Sequence, residues 1–381
     1  MRGIEKTVGY ALCYEFEDVV AEVTGADRID LDHADGINLS RRCYKLARMA
    51  TGSRSLARKL AIRPPQLKLA RDYELFFPVL NHPDELYALS AIPNWRERCQ
   101  KAVCFICEAF SNTLHPYLLE LLEDFDHIFV GSRTAVHDIA RMTGRPCSYL
   151  PLACDVVKFA PPSPAPVRSI DVCNIGRRSW PTHRALLELS QDHKIFYYYD
   201  TVAASGTDRK QRTFRVENAS EHRQLLASVL QRSKFYIANR SRANEGGASD
   251  RQEISGRFYE GAAAGAVLLG EPPDCVEFRQ QFDWPDALIN MPFDMPDIEN
   301  VLTGLNGDPV RLRRISWNNV RNAALRHDWS YRIRDVFEAT GIAITPGMLE
   351  REKRLNAIVV HADEQLALGR PDGFRPAIVR S

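Results

Sequence analysis

The run EISGRFYEGAAAGAVLLGE, residues 253–271, sets two carboxylates around a short basic and aromatic segment and follows them with small residues. Glu260 stands directly before Gly261, Ala262, Ala263, Ala264 and Gly265, whose lack of bulk lets a helix come close to a neighbouring element or to a ligand. A carboxylate there can accept two hydrogen bonds from a vicinal diol, the geometry of ribose 2′ and 3′ hydroxyls. The plain alternative is a surface glutamate on a helix. Upstream, NIGRRSWPTHR (174–184) ends an apolar run at Gly176 and continues into Arg177 and Arg178. Glycine permits close backbone approach, and two guanidinium groups suit a diphosphate, although a turn with solvated arginines reads the same way. A third segment, NRSRANEGGASDRQEISGR (239–257), mixes Arg240, Arg242, Arg251 and Arg257 with Glu245, Asp250 and Glu253. A polar segment of that length after a strand is either functional or a solvated loop. The spacing is not G-x-G-x-x-G, so the dinucleotide fingerprint is absent.

These residues need elements to hold them. Continuous apolar runs of strand length alternate with helical periodicity, the mark of βαβ units and parallel sheets. Strands are expected at TVGYALCY (7–14), YELFFPVL (73–80), AVCFICEAF (102–110), DHIFVGS (126–132) and CSYLPLA (147–153). Helices are expected at EDVVAEVTG (17–25), NLSRRCYKLARMATG (38–52), HPYLLELLEDF (115–125) and SRTAVHDIARMTG (132–144), the last with a Ser cap and a Gly stop. The basic helix at 38–52 places Leu39, Cys43, Leu46 and Ala50 on one face. FAPPSPAPVRS (159–169) has four prolines and no periodicity and marks a domain boundary. The pattern then restarts with strands at 170–176, 194–200, 234–240 and 266–271. Helices fall at 182–191 (capped by Thr182), 220–233 (capped by Ser220), about 252–265, and about 308–326. The predicted organisation is 1–160, 161–342, and a last helix (348–367) that crosses back to the first domain within 343–381. The tail beyond about 365 reads as loosely docked.

A chain of 381 residues is too long for one ordinary core. With 26% charged residues and a net charge of +1, it lacks the global field of a nucleic-acid binder. The N-terminus is charged throughout, unlike a signal peptide, and no segment reaches the roughly 18 apolar residues of a bilayer span. Nine cysteines without framework spacing point to reduced thiols and a cytoplasmic setting. Cys104 and Cys107 form a C-x-x-C inside an apolar run, which favours buried strand cysteines over a metal site. The helix at 38–52 and the arginines at 54, 58 and 63 are open to two readings: a solvated face, and peripheral contact with anionic lipid or a charged glycan.

RFYEGAAAGAVLLGE (257–271) resembles the R-x-F-E-A-x-A-x-G-x-x-L-L pattern of the group-one superfamily of GT-B glycosyltransferases. WNNVRNAALRHDWSYRIRDVFEATGI (317–342) is similar to the closing motif of its spore-maturation-type branch, and FDHIFVGSRTAVHDIARMTGRPCSYLPLACDVVKFAP (125–161) to the end of the superfamily's first domain. The resemblance covers about residues 100–342. It implies an α/β fold of GT-B type: two Rossmann-like domains with parallel sheets facing an interdomain cleft. It implies a bacterial enzyme of polysaccharide biosynthesis that takes a nucleotide-diphosphate sugar as donor substrate, with no cofactor. It places Glu260 on the donor ribose, Gly261 and Gly265 at the adjoining helix start, and Arg177 and Arg257 toward the diphosphate. In the superfamily's E-x7-E spacing the first glutamate touches the donor sugar. Here that register falls on Gln252, with Glu253 one residue later, so either the loop shifts by one or Gln252 takes a hydrogen-bonding version of the role.

Transfer of a sugar to an acceptor hydroxyl (glycan, lipid-linked or small-molecule) leaves a nucleotide diphosphate whose charge must be stabilised by cations or helix N-termini. No Asp-x-Asp follows a strand suitably, which fits arginines acting without a divalent ion. Donor-side candidates are Gly176, Arg177, Arg178, Arg240, Gln252, Arg257, Glu260 and Gly261, with Glu253 toward the sugar. His82 and Glu108, each after a first-domain strand, are candidates for a base, with His115 a weaker third. Each has a structural alternative as a cap or a loop residue, and His327 reads as a structural tie for the last helix. Two other classes stay open: an inactive nucleotide- or glycan-binding scaffold, and a GT-B-fold sugar-nucleotide epimerase.

Overall fold

The computed structural model describes residues 8–30, 34–62, 66–110, 114–200, 216, 218–241, 243 and 252–368. Contacts divide the chain into two units. The first holds Phe16–Pro151 and Arg332–Ile344; the second holds the stretch ending at Glu15, then Leu152–Tyr331, then the chain from Thr345. Each unit is built on one parallel sheet, so the α/β class with two Rossmann-like sheets is what the chain adopts.

In the first unit β1 (Tyr73–Phe76) and β2 (Val79–Leu80) lie end to end along β3 (Cys99–Ile106), and β4 (His127–Val130) and β5 (Cys147–Tyr149) extend the sheet. The run expected as one strand at 73–80 is broken at Pro78, which has no N–H for the ladder, though its carbonyl still accepts from the Phe105 N–H at 3.0 Å. Val103 through Ile106 of β3 are all buried, as in a sheet covered on both faces. The helices are α2 (Ala34–Thr51), α3 (Arg54–Leu60), α4 (Pro116–Leu122) and α5 (Val136–Thr143), the last stopped by Gly144 at φ +66°. Cys104 is fully buried, and burial pushes its thiol well up. None of the nine cysteines, all of them among the described residues, is in a disulfide.

The strand expected at 7–14 is instead helical. Val8–Tyr10 is a 3-10 turn and α1 runs over Ala11–Thr24, while Thr7 lies outside the described residues. Ala11, Glu15, Val19 and Val23 are all buried at an i, i+4 spacing, which a short apolar run does not separate from strand alternation until it is read together with 17–25.

The second unit contains α6 (Val156–Phe159), β6 (Ile170–Asn174), α7 (Trp180–Gln191), β7 (Tyr197–Tyr199), α8 (Ala219–Gln231), β8 (Ser233–Ile237), α9 (Gly256–Ala263) and β9 (Val267–Gly270). These are followed by α10 (Val276–Gln281), β10 (Ile289–Asn290), α11 (Ile298–Asn306) and α12 (Pro309–Arg326). Its sheet order is β10-β9-β8-β6-β7, all parallel. From β6 the chain goes to β7 on one side and then to β8 on the other, so a topological switch point lies at β6 and β8. Two caps in this unit differ from expectation, as does the Ser cap expected for α5, whose N-cap is Ala135. Ser179 rather than Thr182 caps α7, its hydroxyl accepting from the Thr182 N–H at 3.3 Å. Asn218 rather than Ser220 caps α8, accepting from the N–H groups of Ser220 and Glu221.

The proline-rich boundary near 160 also differs from the observed division at Pro151 and Leu152. The last long helix, α14 (Pro346–Ala367), belongs to the second unit, where it packs on α12, with Arg321 bonding Asp363 at 2.7 Å. The segment that joins the first unit is Arg332–Ile344, most of α13 (Trp329–Thr340), held by Arg332 Nε donating to the Pro151 carbonyl at 3.0 Å. The tail expected to be loosely docked lies, beyond Leu368, outside the described residues.

Candidate functional site

β6 ends at Asn174, and the chain turns at Gly176, whose φ of +82° a residue with Cβ adopts only with strain. The Gly176 N–H donates to Asp200 Oδ2 at 2.9 Å, which ties the ends of β6 and β7. Arg257, in the first turn of α9, reaches this turn: its Nη1 donates to the carbonyls of Ile175 and Arg177, both at 3.3 Å. A Cβ on Gly176 would come within 3.9 Å of that guanidinium. Gly176, Arg177 and Arg257, picked out from two distant sequence segments, therefore share one place. It lies at the carboxyl end of β6, beside the switch point and the N-terminus of α9.

Glu260 sits one turn further along α9 and is buried. It is not an isolated carboxylate. Arg223 of α8 donates from Nη1 to Glu260 Oε1 at 2.6 Å. The same guanidinium donates from Nε to Glu15 Oε2 at 2.8 Å and from Nη2 to Glu15 Oε1 at 3.0 Å. Glu15 Oε1 also accepts from the Asp155 N–H at 2.9 Å and from Trp329 Nε1 at 3.2 Å. The Arg223 side chain is 4% exposed and lies 4.9 Å over the Phe159 ring. Burial pulls its pKa down, and the two carboxylates, Glu15 and Glu260, more than reverse that pull and hold it raised. Arg223 thus fixes the rotamer of Glu260. His222, next to Arg223, has its pKa lowered by burial first and by Arg223 second, while Glu260 and Asp200 act against both. Glu15, Asp200, His222 and Arg223 were not singled out in the sequence. A buried pair 208 residues apart leaves no local spacing to find, although Asp200 at a strand end carried the right signal.

Several predicted ligands have other partners. Arg178 is buried and paired with Asp200, with its guanidinium 5.5 Å over the Tyr199 ring, so it braces the β6 turn rather than presenting a free cation. Arg240, at the end of β8, donates from Nε to Glu271 Oε1 at 3.0 Å, and Glu271 in turn accepts from the Phe293 N–H. Gly261 serves packing. A Cβ there would stand 2.5 Å from Leu268 Cδ2 and 2.6 Å from Tyr236 Cδ1, so its smallness lets α9 lie on its own sheet. Gln252 Oε1 accepts from the Asp274 N–H at 2.7 Å, which turns it toward the loop after β9. Glu253 acts electrostatically on Cys275 in that same loop. Arg242, Glu245, Asp250 and Arg251 lie outside the described residues.

In the first unit His82 is the N-cap of the 3-10 helix Pro83–Ala91, its Nδ1 accepting from the Asp84 N–H at 3.3 Å. Glu85 closes the capping box by accepting from the His82 N–H at 2.9 Å. Glu108 follows β3, and its N–H donates to the Asn81 carbonyl at 2.8 Å, which places it beside His82 at the carboxyl edge of the sheet. His115 is the residue before α4, with its ring stacked on Tyr117 at 5.7 Å. His327 is fully buried, with its ring packed among Tyr259, Phe282 and Trp284.

No family model and no curated protein matches the chain. Among solved structures it is similar to sucrose-phosphate synthase from Thermosynechococcus elongatus, at TM-score 0.42 and 10% identity over 83% of each chain. It is similar to TarM at TM-score 0.42 and 9% identity, covering 70% of this chain and 54% of that one. It is also similar to an alpha,alpha-trehalose-phosphate synthase (UDP-forming) from Burkholderia vietnamiensis, at TM-score 0.34 and 11% identity over 95% of this chain and 81% of that one. At these scores no activity transfers from them, and the two-sheet architecture stands on the chain's own strand order.

Proposed function

We propose that the chain is a glycosyltransferase of the spore-maturation-type branch. In this reading it moves a sugar from a nucleotide-diphosphate sugar to an acceptor hydroxyl without a divalent metal. The observation that carries this reading is the convergence of the Gly176 turn, the Arg257 guanidinium and the fixed Glu260 carboxylate at the switch point of the second sheet. Arg257, Arg177 and the first-turn amides of α9 would meet the diphosphate and stabilise the charge that develops as the glycosidic bond breaks. Glu260, held by Arg223, would accept from a ribose hydroxyl. In the first unit Glu108 is the preferred base, because the His82 ring is committed to its cap.

One observation favours a second reading, a non-catalytic nucleotide- or glycan-binding scaffold. The position eight before Glu260 is Gln252, and its amide oxygen is engaged by a backbone N–H. A single experiment separates the readings: calorimetric titration with a panel of nucleoside diphosphates and their sugar conjugates, with products identified. Transfer or hydrolysis supports the first, tight binding without turnover the second, and an isomerised sugar nucleotide an epimerase. Glu260→Gln should weaken nucleotide binding about tenfold while the protein stays folded. Unchanged affinity in the folded variant would remove Glu260 from the site.

A further inference from the structure

α2 carries two apolar faces. Ile37, Ser40 and Tyr44 are buried in the first unit, and Ala57 of α3 joins the same core. Leu39, Leu46 and Met49 stand on the opposite side of α2, within roughly 80° of one another at 3.6 residues per turn. Leu46 is 67% and Met49 75% exposed, so this side of α2, which includes Leu39 and Leu46 of the face read from the sequence, points outward. α3 packs along α2 and adds Leu56 and Leu60, followed by Ile62, all exposed. Six of the eighteen large hydrophobic residues exposed among the described residues thus fall within residues 39–62, too concentrated for scattered surface residues.

The charge of the same stretch is one-sided. From Gly36 to Ile62 there are seven Lys or Arg and no Asp or Glu, in a chain whose net charge is +1. Arg48 pairs with Glu120, and Arg41 reaches Asp84 at 3.7 Å. Arg42, Lys45 and Lys59 are exposed, with the Lys45 ammonium 5.9 Å over the Tyr117 ring.

We propose that the α2–α3 hairpin docks on the surface of an anionic lipid bilayer. Leu46, Met49 and Leu60 enter the boundary between headgroups and acyl chains, and Arg42, Lys45 and Lys59 meet lipid phosphates. A bilayer of this kind answers both halves of the surface. A charged glycan or a nucleic acid would meet the cations and leave the aliphatic face in water. A second copy would set like charges against each other. The inference is independent of the donor site.

The test is flotation of the full chain with vesicles of phosphatidylcholine alone or with about 30 mol % phosphatidylglycerol. The chain should float with the anionic vesicles only and be released by high salt. Leu46→Glu/Met49→Glu and Arg42→Glu/Lys45→Glu/Lys59→Glu should each cut partitioning about 100-fold. Both variants alter exposed side chains, so circular dichroism melts should stay close to wild type. Flotation that ignores anionic lipid, or that survives in both folded variants, would overturn the proposal. So would a wild-type dimer that Leu46→Glu/Met49→Glu dissociates.

Discussion

Replacing Arg223 with methionine tests whether Glu15 and Glu260 are held by one buried cation. The substitution removes three charge-assisted hydrogen bonds of 2.6, 2.8 and 3.0 Å and leaves two carboxylates behind. Glu15 keeps the Asp155 N–H and the Trp329 indole, with the Lys158 ammonium 3.7 Å away, which is too little to replace a bidentate guanidinium. Breaking a buried ion pair by deleting one partner costs about 3–5 kcal/mol, because the remaining charge is left uncompensated. In a unit of this size each kcal/mol is worth roughly 2–4 °C, so the transition of the second unit should fall by roughly 6–20 °C. Scanning calorimetry with far-ultraviolet circular dichroism at neutral pH measures this.

The triple variant Glu15→Gln/Arg223→Met/Glu260→Gln removes the stranded charges while the amide carbonyl at position 15 still accepts from Asp155 and Trp329. It should recover at least half of the loss, since a neutral replacement of a buried ionic group is far less costly than half of one. An Arg223→Met melt within about 2 °C of wild type, set against the several degrees expected, would refute the reasoning. A triple variant no more stable than the single one would do the same.

The remaining predictions concern packing and pH. Gly261→Ala should destabilise by about 1–3 kcal/mol through overpacking against Leu268 and Tyr236, yet leave nucleotide affinity of the folded protein unchanged. Urea midpoints and titration check the two parts, and lost affinity with full stability would restore Gly261 to the ligand side. His127, His183 and His222 all have pKa values lowered, chiefly by burial, below their ordinary value of about 6.5. Between the folded and unfolded values the unfolded chain binds more protons. Their contribution is therefore fully present above about pH 6.5 and declines as pH falls below it. Urea midpoints at pH 7.5 and 5.5, about one unit either side of that value, should show the drop, and His222→Gln should flatten part of it. A midpoint that rises on acidification would contradict the assignment.

Most of the sheet architecture was legible because buried parallel strands read as continuous apolar runs, and nearly every such run became a strand of one of the two sheets. α1 was misread at its start because GYALCY has the length of a strand, and only the helical spacing through Val23 corrects it. β10, α10 and α11 were not foreseen: β10 is two residues long, and the helices are short segments between longer elements. At the site, Gly176, Arg177, Arg257 and Glu260 were legible because each occupies a strand end or a helix start, where ligands bind in open sheets. Arg178 and Arg240 occupy equivalent sequence positions and face Asp200 and Glu271 instead. An arginine after a strand looks the same in sequence whether it awaits an anionic ligand or already has a carboxylate.

The network around Glu260 has a second reason to exist. The second unit is assembled from three separate stretches of chain, and Glu15 ends the first of them. Asp155 and Asp328 lie near the two ends of the second stretch, and Arg351 lies near the start of the third. Arg351 donates to both Asp328 oxygens at 2.8 Å and to Asp155 Oδ1 at 2.6 Å, while the Asp155 N–H donates to Glu15. The Val156 N–H closes the circuit on Asp328 Oδ2 at 3.0 Å. Apolar side chains would bury surface at the same junction, but they do not specify which segment end meets which. Directional pairs do, at the cost of desolvating each charge. Glu260 joins this tie through Arg223. The carboxylate proposed to meet the donor is therefore positioned by the same contacts that close the unit, and disturbing the tie should be felt at the site as well as in the melt.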